Sequence, residues 1–175
     1  MDIKNTNLNG VQIIKPDVHS DERGHFKEVF KESFIGDFSV KQINQAFSYG
    51  KCMRGLHFQK TPYEQGKLIW CSLGKILDVV VDINRNSPTF KQYFSIELSD
   101  TNHLILLIPK GYAHGYLTLS DKNIVCYGVD ELYAPDHDAG LRFQDPQINL
   151  KLGYDLSEFL ISEKDKELPL LRDIK

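Results

Sequence analysis

Cysteine is scarce in this 175-residue chain: the three present (Cys52, Cys71, Cys126) have neither CxxC nor metal-ligand spacing. That argues against a disulfide-stapled scaffold or a zinc ribbon and points to free thiols in a reducing compartment. Long hydrophobic runs are missing. The longest, such as Leu104–Ile108, fall far short of a bilayer span, and Met1–Gly10 lacks the apolar core of a signal peptide. An excess of one charge is missing too. Lys and Arg number 21 against 24 Asp and Glu, a net −3 with both signs interspersed, so no basic face awaits nucleic acid. Helical periodicity is weak, with short candidates only near Lys31–Ile35 and Leu156–Leu160. The expectation is a cytoplasmic protein with neither a nucleic-acid nor a membrane partner. Phosphorylated small molecules stay open as ligands, because a few placed Arg and Lys suffice to hold them.

What is present is a long series of strand signals. Lys75–Ile83 alternates, with Leu77, Val79, Val81 and Ile83 on one face and Ile76, Asp78, Val80 and Asp82 on the other. Gln92–Leu98 repeats the pattern. Further extended candidates are Val11–Ile14, His25–Phe30, Lys41–Phe47, Lys67–Leu73, Leu104–Ile108, His114–Leu119 and Ile124–Asp130, separated by turn residues such as Pro109-Lys-Gly111. Nine or ten short strands in a chain of one-domain length predict an all-β sandwich or barrel. Lys41–Ser48 puts Gln42, Asn44, Ala46 and Ser48 on one side. If that side faces inward, the barrel encloses a wet cavity.

The stretch from Arg54 to Lys67 gathers a guanidinium, an imidazole (His57) and an ammonium within fourteen positions. Strict alternation turns His57 and Gln59 to one face and Leu56 and Phe58 to the other. Such a strand, with Lys67 arriving from the next, fits a pocket wall. The same spacing also fits the solvent side of an ordinary antiparallel hairpin.

Motifs in order along the chain break the tie. Asp21-Glu-Arg-Gly-His-Phe26, Arg54-Gly-Leu-His-Phe-Gln59, Gln65-Gly-Lys67, Asp78-Val-Val-Val-Asp82, Ser87-Pro-Thr-Phe90, Ile108-Pro-Lys-Gly-Tyr-Ala-His-Gly115, Tyr133-Ala-Pro135 and Ile161-Ser-Glu-Lys-Asp165 together resemble the dTDP-4-dehydrorhamnose 3,5-epimerase family. The resemblance runs from about Val11 to Asp165. It implies a single cupin domain, a jelly roll or double-stranded β-helix, over residues 1–175. A segment of about 11–30 would cross to a homodimer partner, and about 155–175 would pack back on the barrel. It implies no cofactor and no metal, and a nucleoside-diphosphate 4-keto-6-deoxy sugar as substrate. A ketone at C4 acidifies the protons on C3 and C5, so inversion there needs a base, an acid on the opposite face, and positive charge near the C4 oxygen.

By resemblance, His57 is the base, Asp165 orients it, Lys67 faces the developing oxyanion, and Tyr127 is the proton donor. Read without the family, Asp165 is one charge in a solvated tail, Lys67 a surface lysine, and Tyr127 a core residue. The resemblance also assigns Arg23 and Arg54 to the diphosphate and Tyr133 to the nucleobase. Lys164, Gln42 and Asn44 take binding positions, His114 lies near the sugar, and Phe26 and Glu28 reach the partner's site. Asp138 stands where the family tends to carry Glu. Gly128 follows Tyr127 in place of Lys, and Leu132 precedes Tyr133 in place of Tyr. These departures keep open a single-carbon epimerase of a CDP- or GDP-linked sugar, as well as a 3,4-ketoisomerase or a non-enzymatic sugar-nucleotide-binding cupin. A metal-dependent cupin would need a His-x-His pair, and His57 has no histidine at position 55 or 59.

Overall fold

Alternating apolar residues need two packed faces, and the chain supplies them as two sheets. The computed structural model describes residues 1–36 and 38–174. Its strands are β1 (Asp2–Asn5), β2 (Gln12–Lys15), β3 (Val18–Asp21), β4 (Gly24–Lys27), β5 (Gln42–Tyr49), β6 (Cys52–Gln59), β7 (Lys67–Leu73), β8 (Lys75–Asp82), β9 (Tyr93–Ser99), β10 (Ile105–Ile108), β11 (Tyr112–Thr118), β12 (Lys122–Val129), β13 (Asp138–Gly140) and β14 (Leu160–Ile161), followed by a one-turn helix α1 (Glu163–Lys166). One six-stranded sheet runs β1-β2-β10-β7-β12-β5. The other runs β13-β6-β11-β8-β9, with β14 beside β6. Every pairing is antiparallel except β14 with β6. This is the single-domain jelly roll expected.

The two sheets share an apolar layer built from Ile69, Val80, Leu98, Leu106 and Val125, each at most 1% exposed. Burying an aliphatic side chain of this kind stabilises the fold by roughly 1.5–3 kcal/mol. The outer face of the second sheet is covered by the segments that follow β13: Leu141, Phe143, Ile148, Phe159 and Leu171 pack on Leu56, Leu77, Val79 and Val81. Residues of the 29–38 stretch, including Val29, Phe30, Ile35 and Phe38, cover Leu68, Trp70 and Ile105 on the first sheet. Both faces of β8 are therefore dry, which is why its two alternating sets are both buried. The helical candidates shrink to single 3-10 turns, Glu32–Phe34 and Leu156–Glu158.

The expected alternation of β6 fails at one point, and the failure shapes the pocket. His57 pairs with His114 and Arg54 with Tyr116, so three steps along β6 match two along β11. This β-bulge re-phases the strand, and Arg54 and His57 reach the same cavity although their odd spacing predicts opposite faces. Gly55 allows it. Its φ is +104°, and a Cβ there would lie 2.7 Å from the His114 carbonyl oxygen. Across the ladder, a Cβ on Gly115 would come within 2.5 Å of the Arg54 carbonyl oxygen.

Candidate active site

The sheets part at one end around a cavity of about 750 Å³. The first sheet contributes Gln42, Asn44 and Ala46 from β5, Lys67 from β7 and Tyr127 from β12. The second contributes Arg54 and His57 from β6, His114 and Tyr116 from β11 and Asp138 from β13. Lys164 and Asp165 close it from α1, and Tyr133 stands at its mouth. The polar side of β5 does face inward. The same volume in an apolar core would be a large void; here polar side chains line it.

His57 and Tyr127 approach from opposite sheets. The imidazole Nε2 of His57 lies 2.7 Å from Asp165 Oδ1, and the other carboxylate oxygen accepts the Gly55 N–H at 3.1 Å. Ser162 caps α1 by accepting the Asp165 N–H, which fixes the carboxylate under the histidine. Asp165 is buried, and burial works to raise its pKa. The His57 hydrogen bond and charge, the Gly55 N–H and Ser162 outweigh that and hold it below the ordinary carboxylate range. The His57 side chain lines the cavity, and its Nδ1 atom has no protein partner among the described residues.

Lys67 is a buried cation, 8% exposed, donating to the His57 carbonyl oxygen at 3.2 Å. Burial pulls its pKa down to about 8, against the attraction of Asp78 and Asp138. Burial likewise pushes the Tyr127 phenol up, with Arg54 opposing, so the phenol stays protonated across the neutral range. Arg54 is anchored through Nε to Ser48 Oγ (3.1 Å) and through Nη2 to the Phe47 carbonyl (3.1 Å). Lys164 pairs with Asp138, which also accepts the Tyr133 hydroxyl at 3.2 Å.

Three of the expected site residues are not brought to this cavity. Arg23 is paired with Asp21 at 2.6 Å, Phe26 is 65% exposed, and Glu28 lies 3.6 Å from Lys31. All sit on or just after the β3–β4 hairpin, which forms a two-stranded sheet of its own.

Sequence reasoning passed over Asp78 as a site residue. It is fully buried and accepts from His114 Nε2 at 2.8 Å, while its Oδ1 has no hydrogen-bond partner among the described residues. Burial lowers the His114 pKa despite that carboxylate, which keeps the ring neutral. The available signal was a carboxylate in the middle of an otherwise apolar strand, since a buried charge needs a partner. Tyr116, 5% exposed, was also missed. Burial raises its pKa, and its hydroxyl has no protein partner among the described residues. No group of three or more His, Cys, Asp or Glu among the described residues is arranged to hold a metal ion. No described helix is long and apolar enough to cross a membrane.

Comparison with known proteins gives a consistent picture. Residues 5–173 match the family described as dTDP-4-dehydrorhamnose 3,5-epimerase. The enzyme of that name from Methanothermobacter thermautotrophicus is 40% identical over 96% of this chain and 93% of its own. The Escherichia coli enzyme is 36% identical over 99% and 96%. Among solved structures, the Legionella pneumophila epimerase in complex with dTDP-4-keto-L-rhamnose superposes with a TM-score of 0.94 at 34% identity, covering 99% of this chain and 94% of that one. A 3′-monoepimerase from Streptomyces bikiniensis in complex with dTDP-quinovose gives 0.88 at 30% identity, covering 95% and 86%.

Proposed function

The chain belongs to the dTDP-4-dehydrorhamnose 3,5-epimerase family, a family of isomerases, and we propose that its cavity inverts C3 and C5 of a dTDP-4-keto-6-deoxy-D-glucose-type substrate to give the 4-keto-L-rhamnose form. The observation that carries this reading is the pairing of opposites across the cavity. An Asp-oriented imidazole on one sheet faces a protonated phenol on the other, with a buried ammonium between the same walls.

In this reading Asp165 keeps a proton on His57 Nε2, leaving the Nδ1 lone pair free to take the proton from C5 or C3. The C–H electron pair moves into the enolate, and its charge gathers on the C4 oxygen beside the Lys67 ammonium. Tyr127 then delivers its phenolic proton to the opposite face of the carbon. Each inversion thus moves one proton onto His57 and one off Tyr127, and exchange with solvent resets both. Arg54 and Lys164 hold the diphosphate, with Lys164 released from Asp138 when phosphate oxygens arrive. Tyr133 stacks on the nucleobase, while Gln42, Asn44 and His114 line the sugar's path. The test is to incubate the protein with dTDP-4-keto-6-deoxyglucose and trap the product with a stereospecific reductase. The L-rhamnose configuration is expected, and a product inverted at one carbon would favour the monoepimerase alternative that the Streptomyces structure represents.

The Lys67 shift predicts a pH limb. The ammonium exists below about pH 8 and is lost above it, so kcat/KM should fall as pH rises through about 8. Bound diphosphate and enolate charge favour the ammonium, so the limb in kcat should lie higher. For stability the sign is opposite. The folded state carries the cost of a buried ammonium below about pH 8, and that cost fades as pH climbs toward the unfolded lysine value near about 10.4. A pH–rate profile with no limb between neutrality and pH 10 would contradict the assignment of Lys67.

We also infer a homodimer in which the β3–β4 hairpin with the adjoining Glu28, the part of the segment of about 11–30 that lies outside the two sheets, carries Arg23, Phe26 and Glu28 to the partner's cavity. In support, these residues lie away from their own cavity, and among the described residues their hairpin pairs with no other strand. Sedimentation should give twice the chain mass; a fully active monomer would contradict it.

A further inference from the structure

The mouth segment 131–134 lies just past the last ladder pair of β12, Val129 with Gln42, and its backbone groups need other partners. They find them in side-chain amides. Gln65 Nε2 donates to the Glu131 carbonyl at 2.8 Å. Gln59 Nε2 donates to the Leu132 carbonyl at 3.2 Å, and Gln59 Oε1 accepts the Ala134 N–H at 2.7 Å. Gln42 Oε1 accepts the Tyr133 N–H at 3.2 Å. Four consecutive residues are each held through one backbone group by a glutamine.

Gln59 is the hub. It is 4% exposed, and its remaining N–H goes to the Tyr63 carbonyl at 2.6 Å, so one buried amide ties two mouth loops to β6. Gln42 is braced in turn, because its Nε2 donates to Asn44 Oδ1 at 2.7 Å. Loop backbone at a surface commonly turns to water. Here it is fixed to strands β5 and β6 on both sides of the cavity, and the residue at the centre is Tyr133, whose ring is largely exposed.

We infer that Gln59, supported by Gln42 and Gln65, is a positioning residue for the nucleotide: the three amides hold the Tyr133 ring in place to stack on the base. The inference rests on the reading of Tyr133 as the base-stacking residue. Affinity for the nucleotide is then set partly by a buried amide that acts through the tyrosine. A preset ring spares the ordering cost that a mobile loop would carry into binding. Turnover of bound substrate should be little affected, because His57, Lys67 and Tyr127 are held by their own strands and by Asp165.

The test is a double-mutant cycle read by calorimetric titration with dTDP. Gln59→Met keeps the length of the side chain and removes its amide. It should weaken dTDP binding by about tenfold or more, a loss comparable to that of one base–aromatic stack, with kcat at saturation changed by no more than about threefold. Tyr133→Ala should cost a similar factor. The double variant should be no weaker than Tyr133→Ala alone, because the amide acts through the ring. Additive losses, an unchanged affinity in Gln59→Met, or a fall in kcat with affinity kept would each overturn the inference. Should Gln59→Met fail to fold, Gln65→Met in the same cycle carries the same expectation with a smaller first step, since it removes one bond. A wild-type protein that binds no dTDP overturns the proposed function together with this inference. Wild-type binding with additive or absent effects overturns this inference alone.

Discussion

His57→Ala is expected to abolish deuterium exchange at both C3 and C5 and to lower turnover by about 10²–10⁴-fold, the usual contribution of a positioned base. One imidazole serves both carbons in this account, because His57 lines the cavity with one ring nitrogen held by Asp165 and the other without a protein partner among the described residues. His114 is placed differently. It is nearly fully buried, and its Nε2 is bound to Asp78, deep in the wall. The measurement is proton NMR of substrate in deuterated water with the variant. Loss of exchange at one carbon alone would mean that a second base serves the other. Full turnover would remove His57 from the mechanism. The thermal unfolding temperature should fall modestly, since the buried Asp165 carboxylate loses its His57 hydrogen bond and keeps the Gly55 N–H.

Tyr127→Phe should separate two processes that the wild type runs together. Abstraction by His57 and stabilisation by Lys67 remain, so C–H protons should still wash out into solvent. Delivery to the opposite face is lost, so inversion should fall by about 10²–10⁴-fold while exchange persists. Phenylalanine keeps the ring on β12 and removes a hydroxyl that has no protein partner among the described residues, which makes the change chemically narrow. Exchange measured by NMR and inversion measured by reductase trapping, on the same sample, give the ratio directly. Parallel loss of both would place the phenol on the abstraction side. Retention of both would point to another donor in the cavity, and Tyr116 is the phenol at hand.

The strands were legible because a two-residue period survives wherever a strand runs long enough to show it. Lys67–Leu73 is recovered to the residue, and β8 to within one. The four strands that went unseen, β1, β3, β13 and β14, are two to four residues long and carry at most two large apolar side chains each, so neither alternation nor an apolar run marks them. The phase of β6 was not legible. Arg54 and His57 share a wall only through the bulge at Gly55, which arises from the close approach of β11.

Asp165 lay beyond reading from local chemistry. Glu163 to Glu167 looks like a solvated tail, and only tertiary packing folds it into a capped turn against β6. The glutamine clamp was hidden for a related reason. Gln59 was visible as a polar residue facing the same way as His57, but two of its three partners are backbone groups more than seventy positions away, and no pattern of side chains announces a backbone partner. The resemblance to a known family supplied what spacing lacked, by tying His57, Lys67, Tyr127 and Asp165 to one reaction.

The central claim is that this cavity labilises and inverts two carbons flanking one ketone. Proton NMR of the wild-type protein with dTDP-4-keto-6-deoxyglucose in deuterated water tests it most directly, following the C3 and C5 signals to completion. Disappearance of both signals is the predicted result. Persistence of both at enzyme levels that bind the substrate would contradict the account.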